Sequence, residues 1–149
     1  MNRREWTMES VFDAAKINQS QPGILLLSHG PYAKALFETM ELIYSEVDNV
    51  AAFSLEEGDN VEEFYKSFVK AMESYKKGCI CLVDLMGGTP CNQLRKYSLV
   101  QKKEVYAVLG MNLPMLLSAV ELRQETDSLA DMAKQLVLDG QEGIMNFNE

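Results

Sequence analysis

Short apolar runs alternate with longer amphipathic stretches along most of the chain. The apolar runs have the length of strands buried on both faces. They lie at residues 24–27, 50–54, 79–83 and 104–109. Apolar residues spaced three and four apart predict helices at about residues 31–45, 60–76, 90–100, 113–122 and 128–139. Because strands and helices alternate four times, we expect an α/β fold with a mostly parallel four-stranded sheet and helices on both faces.

Both ends of the chain differ from this pattern. Residues 1–21 are predicted to form a partly helical N-terminal extension, and residues 22–149 to form the domain. Helical spacing in the extension is shared by Met8, Val11, Phe12 and Ala15. Residues 143–147 predict a short last strand. The helix at 113–122 is too hydrophobic for a helix with one exposed face.

Composition and charge limit the classes of function. The chain has 149 residues, 47% of them hydrophobic, which is enough for one domain with a buried core. A net charge of −8 disfavours a nucleic-acid partner, which needs a basic face, and suits a basic protein partner. We find neither an apolar run long enough to cross a membrane nor the apolar core of a secretory signal, so we expect a cytoplasmic protein.

The cysteine pattern indicates free thiols. There are three cysteines, Cys79, Cys81 and Cys91, so they cannot all pair with one another. Cys79 and Cys81 would lie roughly 6–7 Å apart on one face of a strand, a poor separation for a disulfide. Three cysteines and one histidine at this spacing match no usual zinc site. We therefore expect buried, reduced cysteines and neither a metal nor a cofactor.

The single histidine, His29, stands where the first apolar run ends and Gly30-Pro31 begins a helix. Open α/β sheets bind ligands at the carboxyl ends of their strands, and helix N-termini favour anions. An imidazole in this place is a nucleophile near neutral pH, which indicates phosphoryl chemistry with Gly30 as a candidate phosphoryl-binding residue. A structural histidine at a strand end fits the same position.

Asp84 and Gly87-Gly88-Thr89 follow the third apolar run. In a parallel sheet this loop lies at the same edge as His29, where an aspartate can hold Nδ1–H and leave Nε2 facing outward. The glycines let backbone N–H groups approach an anion, and the Thr89 hydroxyl would either donate to a phosphoryl oxygen or cap the helix. A capping aspartate and an ordinary glycine turn are the structural alternatives.

The glycine turn differs from the loop that binds ATP in many kinases. Gly87-Gly88-Thr89-Pro90 lacks the lysine and the spacing of a P-loop. The phosphoryl group is therefore expected from another source, such as a phosphorylated protein.

Three segments share their order and spacing with a known family. They read Ile24-Leu-Leu-Leu-Ser-His29-Gly30, Asp84-Leu-Met-Gly87-Gly88-Thr89-Pro90-Cys-Asn92 and Gly110-Met-Asn112-Leu113-Pro114-Met115. Over about residues 23–147 the chain resembles the enzyme IIA domain of the mannose/fructose/sorbose class of the bacterial sugar phosphotransferase system.

The resemblance implies that His29 takes a phosphoryl group on Nε2 from the phosphocarrier protein HPr. It implies that His29 then passes the group to a IIB domain, which phosphorylates a sugar as a membrane permease imports it. Asp84 would be the partner of His29, and Thr89 would contact the phosphoryl group. The family fold also implies a homodimer whose subunits exchange a C-terminal antiparallel strand, so we expect residues 113–122 and 143–147 to be buried between subunits.

The chain departs from the family pattern at three positions. Met86 and Cys91 stand where an aromatic residue is usual, and Thr89 replaces a more frequent serine. Threonine keeps the hydroxyl, and Met86 can still cover the imidazole by apolar contact. These changes bear on partner affinity more than on chemistry.

Two other functions are compatible with such a fold. One is the phosphohistidine subunit of a dihydroxyacetone kinase system, against which the Asn112-Leu-Pro114-Met115 segment favours the sugar-transport class. The other is a regulatory protein that keeps the fold without the transfer, and the intact His29 and Asp84 argue against it. The sequence identifies neither the sugar nor the cognate IIB protein.

Overall fold

The computed structural model describes residues 9–149, which form one five-stranded sheet and five α-helices. The strands are β1 (Glu9–Val11), β2 (Gly23–His29), β3 (Val50–Leu55), β4 (Cys79–Val83) and β5 (Tyr106–Leu109). The helices are α1 (Tyr32–Tyr44), α2 (Val61–Ser74), α3 (Thr89–Gln101), α4 (Leu113–Leu122) and α5 (Leu129–Glu142).

The order of the strands across the sheet is β1-β3-β2-β4-β5. β2 pairs in parallel with β3 and β4, and β4 pairs in parallel with β5, whereas β1 runs antiparallel to β3. The predicted α/β class is confirmed. The pattern predicts a mostly parallel sheet of four strands, whereas the observed sheet is mixed and has five. The additional strand is β1, which precedes the first predicted strand and pairs with the edge of β3.

Two layers of helices cover the sheet, because alternate residues of each buried strand face opposite sides. On β2, Ile24 and Leu26 pack in the core under α1, α4 and α5, whereas Leu25 and Leu27 pack under α2 and α3. All four side chains are fully buried. This burial on both faces explains why the strands read as continuous apolar runs rather than alternating ones.

The cysteines Cys79, Cys81 and Cys91 are free and buried in the core under α2 and α3, as predicted. A hydrogen bond with Cys79, together with burial, raises the pKa of the Cys81 thiol well above its ordinary value. A thiol held protonated in this way is a poor nucleophile, so Cys81 serves packing.

The N-terminal segment forms extended structure where helical spacing predicts an amphipathic helix. β1 pairs with the edge of β3, and a short 3-10 helix follows at Ala14–Lys16. The Phe12 ring lies 6.5 Å from that of Phe53 and 6.3 Å from that of Tyr75, centroid to centroid. The open edge of β3 and this aromatic contact favour a strand over a lone helix. Met8 lies outside the described residues, and the division into extension and domain stays a prediction.

Asn49 ties the N-terminal segment to the loop before β3. Its side chain accepts a hydrogen bond from the Asn18 N–H at 2.8 Å and donates to the carbonyls of Asn18 and Gln21 at 2.6 and 2.9 Å. Its φ of 57° lies in the left-handed region, which asparagine tolerates better than most residues. The segment is thus held at both ends, by strand pairing and by a buried amide.

The C-terminal end also departs from prediction. α5 continues through Gly140 to Glu142, although Gly140 is predicted to end it. A Cβ at position 140 would lie 2.6 Å from Cε of Met115, so this glycine allows α4 and α5 to pack closely. Residues 143–147 form no strand in the described chain, and the side chains of Ile144 and Phe147 are 75% and 98% exposed.

The apolar composition of α4 is largely explained within one chain. Met115, Leu116, Ala119 and Val120 are buried in the core that α4 shares with α5 and the sheet. A partner subunit is therefore not required to cover this helix. Across residues 9–149, none of the helices combines the length and the apolar composition that a membrane span needs.

Candidate active site

His29 is the last residue of β2 and stands at the carboxyl edge of the sheet. The next residue, Gly30, has a φ of 58°, a left-handed conformation that a glycine adopts without strain, and its N–H donates to the Leu55 carbonyl at 2.8 Å. This bond fixes the turn between β2 and α1 against the end of β3. The imidazole consequently projects from a rigid strand end.

Two buried serines complete this turn, and sequence reasoning missed them. α1 begins after Pro31, which has no side-chain cap to offer. Instead, Ser28 Oγ accepts a hydrogen bond from the Ala33 N–H at 2.7 Å, and Ser54 Oγ accepts one from the Lys34 N–H at 3.2 Å. A serine inside an otherwise apolar strand, just before a helix start, is the signal that was available.

Asp84 follows β4 directly and meets His29 as predicted. Its Oδ2 lies 2.7 Å from His29 Nδ1 and also accepts the backbone N–H of His29 at 2.9 Å. Its Oδ1 accepts the Leu85 N–H at 2.9 Å. The carboxylate is nearly buried, with 9% of its side chain exposed, whereas the imidazole is 45% exposed.

This contact decides which ring nitrogen is free. An ionised carboxylate only accepts hydrogen bonds, so Nδ1 of His29 carries the proton and Nε2 carries a lone pair. Asp84 is itself held by two backbone N–H groups and cannot follow the ring. The contact therefore fixes the orientation of the ring, with Nε2 pointing away from the carboxylate.

The glycine turn packs against the imidazole. Gly87 has a φ of 85°, which favours glycine, and a Cβ at Gly88 would lie 2.8 Å from His29 Nε2 and closer still to Cε1. Residue 88 must therefore be glycine if the ring is to keep its place. Among the described residues, the N–H groups of Gly87, Gly88 and Thr89 donate to no protein acceptor.

Thr89 is the first residue of α3 and does not cap it, so of the two alternatives for its hydroxyl the capping role is excluded. Gly88 takes the cap position, and its carbonyl accepts the Asn92 N–H at 2.9 Å. The Thr89 hydroxyl has no hydrogen-bond partner within residues 9–149. It stands with three unpaired N–H groups at a helix N-terminus, an arrangement that binds anions.

A third loop, between β5 and α4, completes the edge. The N–H groups of Gly110 and Met111 both donate to the Val83 carbonyl, at 2.8 and 3.0 Å. The Tyr32 hydroxyl donates to the Met111 carbonyl at 2.7 Å. Sequence reasoning passed over Tyr32, because a tyrosine in the first turn of a helix carries no distinctive signal.

The rim of the site is apolar. Leu85 and Met86 expose 49% and 70% of their surface beside the Asp84 turn. A half-exposed imidazole, unpaired N–H groups and an apolar rim together suit a covalent anion carrier that docks on protein partners.

A family profile described as the PTS system fructose IIA component matches residues 23–137. The chain is 31% identical over 127 residues to the sorbose-specific EIIA component of Lacticaseibacillus casei, covering 85% of this chain and 91% of that protein. It is 32% identical over 125 residues to the mannose-specific EIIAB component of Escherichia coli K12, covering 81% of this chain. That match spans only 38% of the Escherichia coli protein.

Solved structures give the same relationship. A phosphotransferase system component EIIA from Streptococcus agalactiae superposes with a TM-score of 0.77 at 25% identity, covering 85% of this chain and 97% of that chain. A PTS IIA protein associated with the fucose utilization operon of Streptococcus pneumoniae gives a TM-score of 0.73 at 27% identity, with coverages of 85% and 93%.

We predict that Asp84 sets the tautomer of His29. Replacing Asp84 with alanine removes the acceptor for Nδ1–H, and the population should shift toward the Nε2–H form about tenfold or more, the equivalent of one charged hydrogen bond. Nitrogen-15 NMR of the single histidine reads this directly. Asp13→Ala is the control, since among residues 9–149 the Asp13 carboxylate accepts only the Ala15 N–H. An unchanged tautomer in Asp84→Ala would contradict the assignment.

Proposed function

The chain belongs to the PTS fructose IIA component family, and we propose that it is a phosphocarrier that accepts a phosphoryl group from phosphorylated HPr on His29 and passes it to a IIB domain. The observation that carries the proposal is the 2.7 Å contact between His29 Nδ1 and Asp84 Oδ2, which leaves the Nε2 lone pair free on a half-exposed ring. In this role the protein acts in the cytoplasm, serves sugar uptake and meets the membrane only through the permease complex.

The transfer follows from this geometry. The Nε2 lone pair attacks phosphorus, a nitrogen–phosphorus bond forms, and the bond from phosphorus to the donor breaks. Nδ1 keeps its proton, so the ring of the phosphohistidine intermediate gains positive charge. The Asp84 carboxylate stabilises that charge from a fixed position, as it does for an imidazolium in hydrolases. Delivery to the IIB domain reverses these steps and returns the lone pair to Nε2.

The phosphoryl oxygens require partners, and the glycine turn supplies them. We propose that the unpaired N–H groups of Gly87 and Gly88 and the hydroxyl of Thr89 bind these oxygens. Gly30, the fourth candidate from the sequence, contributes through the turn that it forms, because its own N–H donates to the Leu55 carbonyl. Donors fixed before the reaction need no reorganisation as charge moves onto the group. The exposed side chains of Leu85 and Met86 would contact HPr and the IIB domain in turn.

We also propose that the protein is a homodimer. The support is the apolar side chains at its C-terminus, Ile144, Met145 and Phe147, which are 75%, 76% and 98% exposed. β5 is an edge strand of the described sheet, with open grooves beside it on both faces. An exposed apolar segment and an open sheet edge in one chain are what a second copy of that chain would cover.

Phosphorylation of His29 is the first prediction from this function. Incubation with phosphorylated HPr should add one acid-labile phosphoryl group per chain, measured by intact mass, and His29→Ala should accept none. His29 is the only histidine, so the assignment needs no mapping. Acid-labile phosphate on the His29→Ala protein would contradict the proposed transfer through His29.

The Thr89 hydroxyl is predicted to act on rate and not on stability. Because Gly88 and not Thr89 caps α3, Thr89→Ala should change the free energy of unfolding by less than about 0.5 kcal/mol. Loss of a hydrogen bond to a charged group should slow transfer about tenfold to a hundredfold. Rapid-quench kinetics with purified HPr measure the rate. Thr89→Ser is the matched control and should keep most activity, while a Thr89→Ala rate equal to wild type refutes phosphoryl contact.

Light scattering after size exclusion tests the dimer. The intact chain should elute with twice the 16.8 kDa mass of one copy at micromolar concentration. Truncation after Gly143 removes the exposed apolar segment and should shift the equilibrium toward monomer, with the fold retained by circular dichroism. An intact chain that is monomeric under these conditions contradicts the proposal without touching the transfer chemistry.

A further inference from the structure

The three loops of the site close into one hydrogen-bonded circuit. His29 is bonded to Asp84, which follows Val83 in the chain. The Val83 carbonyl accepts the N–H groups of the third loop, at residues 110 and 111. The Met111 carbonyl accepts the Tyr32 hydroxyl, three residues after His29. Among residues 9–149, Tyr32 supplies the only side-chain hydrogen bond between the first loop and the third.

The chemistry of Tyr32 suits this link. Burial, and then the negative charge of Asp84, raise the pKa of the Tyr32 phenol above its usual value. The hydroxyl therefore stays protonated and donates, with the carbonyl of Met111 as acceptor at 2.7 Å. Met111 is only 3% exposed, so its carbonyl belongs to a loop packed into the core. The bond joins the first residue of α1 to the loop between β5 and α4.

Three hydrogen bonds anchor the turn after His29 to β2 and β3, but none of the three links it to the third loop. The Gly30 N–H donates to the Leu55 carbonyl at 2.8 Å. The serine bonds hold the N–H groups of Ala33 and Lys34, beyond the turn. Tyr32 precedes Ala33 and Lys34 in the chain and is 40% exposed. Of the hydrogen bonds that residues of α1 make to the other loops and strands, that of the Tyr32 hydroxyl therefore starts at the residue nearest to His29 in the chain.

We propose that Tyr32 is a positioning residue for phosphoryl transfer, whose hydroxyl bond to Met111 closes the loop circuit and holds the His29–Asp84 pair in its reactive arrangement. This inference rests on the proposed function for its kinetic consequence. Its structural consequence, a tighter Nδ1–H bond between His29 and Asp84, exists in the unphosphorylated protein. The two consequences can therefore be measured separately.

The test compares Tyr32→Phe with Tyr44→Phe. Both tyrosines lie on α1, at its first and last residues, and each hydroxyl makes one hydrogen bond. Tyr44 donates at 2.8 Å to Glu121, at the far end of the helix from His29. Each substitution removes one oxygen atom and keeps the ring, so differences between the two variants report the place of the lost bond.

Two measurements are made on each variant. The first is exchange of the His29 Nδ1–H proton with water, followed by NMR without any donor present. The second is the single-turnover rate of transfer from phosphorylated HPr at saturating and limiting donor. For Tyr32→Phe we expect exchange several-fold faster than wild type. We also expect transfer about fivefold slower at saturation, the effect of one net hydrogen bond, with the half-saturating donor concentration unchanged.

Tyr44→Phe should match wild type in both measurements. An exchange rate in Tyr32→Phe equal to that in Tyr44→Phe overturns the proposal, whatever the transfer rate. If wild-type protein accepts no phosphoryl group, the proposed function fails, and the exchange measurement still decides whether Tyr32 holds the His29–Asp84 pair.

Discussion

The burial of β2 on both faces and along both edges is the constraint from which the site follows. Ile24 to Leu27 are fully buried, and the strand pairs in parallel with β3 on one side and β4 on the other. Parallel pairing puts the following loops at one edge. The register Leu27↔Val83 then places Asp84 one residue beyond the paired positions, next to His29. A slip of one residue would turn Asp84 to the other face of the sheet.

The site combines a nearly buried hydrogen-bond acceptor, Asp84, with a half-exposed nucleophile, His29. Asp84 is fixed by backbone N–H groups, as a strand end allows, whereas the imidazole reaches into solvent. Gly88 supplies the third side of the arrangement by steric contact, since a Cβ there would collide with the ring. Orientation comes from hydrogen bonds to groups that the sheet itself positions.

Periodicity predicts what the chain encodes locally. The buried strands at 24–27 and 79–83 and the helix at 113–122 follow from apolar runs and spacing, and the His29–Asp84 contact follows from parallel topology. β1 escapes such reasoning because three residues become a strand only where β3 offers an open edge. Gly140 resembles a helix end in the sequence, since glycine commonly ends helices. Its actual role, close packing of α5 against Met115, is a tertiary contact that local sequence does not show.

The choice of helix caps shows the same limit at the site. Thr89 is a better N-cap by residue type than Gly88, yet Gly88 is the N-cap of α3. Gly88 packs against the imidazole of His29, and this tertiary contact cannot be read from the residue types. Ser28 and Ser54 cap α1 from the neighbouring strands β2 and β3. The Ser54 contact joins residues 20 positions apart in the sequence, so local sequence patterns do not predict it.

β1 has a consequence for the solubility of the folded chain. By pairing with β3 it covers the border that this six-residue strand would otherwise present, and the sheet of residues 9–149 ends at β1 on that side. β1 has only three residues. A short edge strand offers few backbone donors and acceptors to another sheet, which is one way in which proteins limit edge-to-edge aggregation. The N-terminal segment thus exchanges a long border for a short one.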